Sequence, residues 1–149
     1  MTDVWSPLGE GLLTGKVRRG QETPDTTRQG TDWPEPHVTD WDRAYDIIDA
    51  LDGIARERGV SVPRVVLAWL LGRPGVTGIV LGARTEEQLR DNLAAADLEL
   101  TDEERETVTR VSQLPAYYPW WHRALNATDR PDPAEEPYLT EFRTYAARG

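Results

Sequence analysis

The chain has 149 residues, which fits one domain and falls short of the roughly 250 that a complete eight-stranded β/α barrel takes. Its formal net charge of −9 repels nucleic-acid phosphates and anionic lipid, and no apolar run approaches the roughly 20 residues of a membrane helix. Without cysteine it can form neither disulfides nor Cys-ligated metal sites. Its 38% hydrophobic residues, 11 Pro and 29% charged residues predict a soluble, cytoplasmic protein with a core and long loops.

Val4 to Ser6 reads as a short strand that ends where Pro7 removes a backbone donor, and Gly9, Gly11 and Gly15 mark a loop beginning at Pro7. Residues 17–38 show no hydrophobic period and read as a long surface excursion or a partly disordered segment with Trp33 as its anchor. Thr39 with Asp42 predicts a capped helix start, and Trp41, Ala44, Tyr45, Ile48, Leu51 and Ala55 recur at helical spacing until Gly59. Ser61 caps a second helix with Pro63 in its first turn. Its apolar run from Val65 to Leu71 predicts burial on most sides.

The β-rich run Val76 to Leu81 predicts a fully buried strand near 78–81. Thr85 and Gln88 form a capping-box pair for a helix with Leu89, Leu93 and Ala96 on one face, and Thr101 and Glu104 repeat that signature for a helix with a Val108, Val111 and Leu114 stripe. From Pro115 the chain changes character. Tyr117, Tyr118, Trp120, Trp121 and His122 sit between prolines, followed by a Pro-rich spacer at 129–137 and a short helix at 138–147. The organisation is thus a domain over 1–122 and a tail over 123–149.

Two junctions carry chemistry. The residues before the 86–93 helix offer unpaired backbone N–H groups, the positive end of a helix dipole and Arg84, whose planar fork can pair two phosphate oxygens. On spacing alone Arg84 is a loop arginine beside Glu86 and Glu87, and Gln88 is spent on the cap. The loop Leu8 to Lys16 combines glycines with a terminal lysine but lacks the spacing of a Walker loop. Trp5 reads first as a core residue, although an aromatic face at a strand end also suits stacking on a flat heterocycle, and His37 and His122 are too far apart to make a metal site.

Residues 4–16, Val-Trp-Ser-Pro-Leu-Gly-Glu-Gly-Leu-Leu-Thr-Gly-Lys, and the stretch Gly78-Ile-Val-Leu-Gly-Ala-Arg-Thr running to Asn92 resemble the last two strand-and-loop units of an aldo-keto reductase. The resemblance covers roughly residues 3–122 and implies an α/β fold, the C-terminal part of a (β/α)8 TIM barrel, predominantly helical in this chain. It implies that Trp5 stacks on a nicotinamide and that Ser6, Leu8, Gly11 and Lys16 lie along the ribose and diphosphate. Gly82 and Arg84 would meet the adenosine phosphate, with Gln88 and Asn92 at the adenine end. Arg84 points to NADP rather than NAD.

The family's catalytic Tyr, Lys, Asp and His lie on strands that would precede Met1, so no catalytic residue carries over. Tyr117, Tyr118 and His122 are read as packing residues of the tail rather than as substitutes. A two-strand remnant leaves strand edges and an apolar helix exposed, which implies self-association, a missing N-terminal half as partner, or folding into a mostly helical unit. The resulting expectation is the cofactor-binding portion of an NADPH-dependent carbonyl reductase, not catalytic alone. The alternative is a repurposed, self-associating interaction protein.

Overall fold

The computed structural model describes residues 2–25, 27–32, 36–113 and 122, and the chain divides into two units, Met1–Ser112 and Gln113–Gly149. The first unit runs through β1 (Thr2–Trp5), a kinked 3-10 segment (Gly9–Thr14), a 3-10 turn (Arg28–Gly30), α1 (Trp41–Arg58), α2 (Val62–Leu71), β2 (Val76–Val80), α3 (Glu86–Leu93), a 3-10 turn (Ala94–Asp97) and α4 (Asp102–Ser112). Trp33, Leu114, Tyr117, Tyr118, Trp120, Trp121, the spacer at 129–137 and the helix expected at 138–147 lie outside the described residues.

Helix boundaries follow local chemistry closely. Asp40, not Thr39, caps α1: its carboxylate accepts from the Arg43 N–H at 3.1 Å, one residue later than the sequence predicts. Gly59 ends α1 at φ 64°, a left-handed conformation that a residue with a Cβ adopts only at a cost. Ser61 caps α2 as expected, accepting from Arg64 N–H at 3.2 Å, with proline in the first turn. At α4 the capping box closes in both directions. Glu104 N–H donates to Thr101 Oγ1 at 3.2 Å, and Thr101 N–H donates to Glu104 Oε2 at 2.7 Å.

The main core joins Leu51, Ile54 and Ala55 of α1 to Val62, Val65, Val66 and Ala68 of α2, and to Leu100 and Val108 beside and within α4. A second cluster sets Leu12 and Val17 of the N-terminal loop against Ile48 of α1, so part of the stretch expected to be surface excursion is core. The burial expected of α2 holds through Ala68 and fails at its end, where Leu71 is exposed. For α3 the expected apolar face is reversed. Leu89, Leu93 and Ala96 face solvent, while Asn92 and Ala95 are buried.

β1 and β2 pair in parallel, with Asp3 opposite Gly78, Val4 opposite Ile79 and Trp5 opposite Val80. The register slips between Thr2 and Asp3, and the Thr77 hydroxyl left there accepts the Thr2 N–H at 2.9 Å. β2 is not the fully buried strand that its composition predicts, because Val80 is 56% exposed in this two-stranded sheet. No helix among the described residues is long and apolar enough to cross a membrane.

One ion pair ties the end of α1 to the start of α4. Arg58 Nε and Nη2 each lie 2.6 Å from a Glu104 carboxylate oxygen, and this pairing, helped by Thr101 and opposed by desolvation, pulls Glu104 from 4.5 to about 2. A lowered carboxylate value stabilises the fold above about pH 4.5, and that stabilisation disappears as pH falls toward 2. Urea unfolding of Glu104→Gln is therefore expected to show a loss of about 1–2 kcal/mol at pH 7 after discounting for solvent around the pair. The loss should shrink toward zero near pH 2; a loss independent of pH would show that the ion pair is not its source.

Candidate functional site

The parallel pairing puts the C-terminal ends of β1 and β2 side by side, and both loops that carry the predicted site residues leave from that end. Ligands in parallel α/β folds bind beyond this edge, where loop backbone and helix N-termini converge. Trp5 ends β1 with its indole 76% exposed, opposite exposed Val80. Gly82 and Arg84 lie exposed in the turn after β2. Among the described residues no ion pair holds the Arg84 guanidinium.

The loop after β1 is folded onto itself. Ser6 takes φ 50° and Glu10 φ 53°, the two positive values at non-glycine positions among the described residues. Gly9 N–H donates to the Ser6 carbonyl at 2.9 Å, while Gly11 and Leu13 N–H both donate to the Leu8 carbonyl at 3.2 and 3.1 Å. Ser6 Oγ donates to Glu10 Oε1 at 2.8 Å, and Arg28 Nε lies 3.7 Å from Glu10 Oε2. Leu8 packs against the main core. At Gly11, with φ 99°, an added Cβ would lie 3.5 Å from Thr27 Cβ.

Lys16 is exposed at the end of this loop, on a polar groove of about 660 Å³ shared with Arg18, Arg19, Asp49, Asp52 and Arg56. Asp52 holds Arg18 at 2.5 Å and Arg56 at 2.8 Å, and Arg19 reaches Asp42 and Asp46 from the same strip while stacking on Tyr45. These contacts fasten the segment after the glycines to the acidic side of α1. No cluster of three metal-ligating side chains occurs among the described residues.

At the second junction Thr85 caps α3, accepting from Gln88 N–H at 3.2 Å, as the spacing predicts. The return half of the box differs: Gln88 Oε1 accepts from Arg84 N–H at 3.0 Å, so the amide tightens the turn that carries Arg84. Asn92 is 6% exposed and belongs to the buried side of α3, away from Leu89 and Leu93. Beside it, Asp91 accepts from the Ser61 hydroxyl and pairs with Arg64 at 2.6 Å, although the buried Arg64 Nε has no hydrogen-bond partner. This link from the α2 cap to α3 was not readable from sequence, since 27 positions separate Arg64 from Asp91.

Structure thus brings Trp5, Ser6, Gly82 and Arg84 to one edge, with Gln88 supporting the turn. Leu8 is placed in packing, Asn92 on a buried face, and Lys16 farther along on the groove with α1. Glu10 and Arg28 join Ser6 in this loop without having been singled out by spacing. The signal was an acid set between two glycines in a loop otherwise suited to anions.

A family model described as the aldo/keto reductase family matches residues 2–113. The chain belongs to this family. It is 34% identical over 100 residues to an oxidoreductase, YrpG, of Bacillus subtilis, covering 67% of this chain and 28% of that protein. It is 30% identical over 98 residues to a probable voltage-gated potassium channel subunit beta of Arabidopsis thaliana, covering 64% and 29%. Against the NADH-specific methylglyoxal reductase of Escherichia coli it is 29% identical over 102 residues, covering 68% and 30%. The chain therefore spans less than a third of the length of these relatives. Aldo/keto reductases are built on a (β/α)8 barrel and typically use nicotinamide cofactors, and two parallel strands in a helix-rich chain agree with part of such a barrel.

The aldo/keto reductase loop is anchored at Gly15, where φ is 77° and an added Cβ would lie 2.9 Å from Val62 Cγ2 at the start of α2. Gly20, at φ 72°, has open space at the same position. Gly15→Ala is expected to lower the unfolding free energy by about 2–3 kcal/mol, and Gly20→Ala by about 1 kcal/mol, from strain alone. Urea midpoints of the two variants measure the difference, and equal losses would mean that the Val62 contact yields without effect.

Proposed function

We propose that this chain is the cofactor-binding C-terminal portion of an aldo-keto reductase, with β1 and β2 as the last two strands of the barrel. The observation that carries the reading is the shared edge: an exposed indole at the end of one parallel strand and an exposed arginine after the other. The residues present fit a nicotinamide dinucleotide. Trp5 offers a flat face for the nicotinamide ring, Ser6 and the glycine loop lie next to it, and Gly82, Arg84 and the α3 N-terminus suit an anionic phosphate.

When bound, the cofactor supplies hydride to or from a carbonyl carbon. This chain's own part is to bind and orient it. Gln88 holds the turn so that Arg84 faces outward, and Leu8 and Leu12 seat the first loop on the core. This reading assigns none of the family's Tyr, Lys, Asp and His to a residue here. Arg84 supports NADP, whose additional phosphate gives a guanidinium a bidentate partner.

Exposed Trp5, Val80, Leu89 and Leu93 favour a second reading, a repurposed protein that self-associates through these side chains. A concentration-independent oligomer in light scattering, without nicotinamide binding, would select it. On the first reading the chain binds NADPH by fluorescence titration, and Arg84→Ala weakens NADPH by about tenfold or more while changing NADH little. The absence of NADPH binding would remove the first reading.

A further inference from the structure

The loop after β1 spends its most strained residues on an internal anion. Ser6 and Glu10 both hold left-handed backbone that glycine would adopt without strain, and they are joined to each other through the Ser6 hydroxyl and the Glu10 carboxylate. Arg28, arriving from the next turn, faces the other carboxylate oxygen. Within the same loop the N–H groups of Gly9, Gly11 and Leu13 are all taken by carbonyls of Ser6 and Leu8. A hydroxyl, a guanidinium and glycine-loop amides are the groups that receive a phosphate, and here a carboxylate and two carbonyls fill them.

We propose that Glu10 is an affinity-determining residue of the cofactor site, a built-in carboxylate that competes with the dinucleotide's phosphates for Ser6 and Arg28. The inference rests on the cofactor reading above. A dinucleotide settling on this loop must release Glu10 from Ser6 or sit beside a like charge, and either route weakens binding. Glu10 differs in this from Arg84, which attracts the same ligand from the other junction. The loop is a latch whose closed state is favoured until a phosphate outcompetes the carboxylate.

Glu10→Gln isolates the charge, because its amide oxygen still accepts the Ser6 hydroxyl and its backbone strain is unchanged. In fluorescence titrations of the full chain with NADPH, Glu10→Gln is expected to bind about tenfold tighter than the unaltered protein, and the gap is expected to narrow as sodium chloride is raised. Equal NADPH affinities for the two proteins, while Arg84→Ala still weakens binding, would overturn the latch and leave the cofactor reading standing. Failure of every variant to bind NADPH overturns both.

Discussion

Burial of α2 is the constraint on which the other elements of the first unit depend. Val65 and Leu67 are essentially sealed from solvent, and this one helix meets α1, β2, α3 and the loop after β1. Each apolar side chain fully buried there is worth about 1.5–3 kcal/mol, so ten residues organise partners spread over nearly the whole described chain. Polar contacts then set the orientation of those partners. Ser61 and Arg64 hold α3 through Asp91, while Trp69 Nε1–H donates to Thr109 of α4 at 3.3 Å. The edge that bears Trp5 and Arg84 is therefore positioned from behind, by a helix that contributes no predicted site residue.

Charge does a second kind of fastening. The sequence is acidic overall, yet its acids are placed where arginines from other segments reach them, with Asp42, Asp46 and Asp52 on α1 receiving Arg19 and Arg18. Exposed pairs of this type are weak singly, with a median near 0–1 kcal/mol. Asp52 is less exposed and holds two arginines at once, which fixes the segment after the glycine loop more firmly than a lone surface pair would. Leu12 and Val17 complete the attachment from below.

Local signals were legible in the sequence, and long-range ones were not. The Thr101 and Glu104 box, the Ser61 cap with Pro63 and the stop at Gly59 depend only on residues within a turn, and the structure shows them as expected. The start of α1 moved by one residue because Thr39 and Asp40 are both competent caps and spacing alone does not choose between them. The orientation of α3 reversed with Asp91 bound to Ser61 and Arg64 of the α2 start and Asn92 buried beside it, and an apolar stripe carries no information about that partner. Likewise the glycines of the first loop announced unusual backbone, but the left-handed angles fall also at Ser6 and Glu10, two polar residues that bond to each other.

The register of the sheet has a consequence for how the chain acquires its shape. Thr2 and Thr77, joined by a hydrogen bond, are 75 positions apart, and the helices between them form from contacts within a turn or between neighbours. Closing so long a loop carries an entropy penalty that only prior compaction of α1 and α2 reduces. The edge that bears Trp5 therefore rests on a long-range closure, whereas the helices behind it rest on contacts close in sequence.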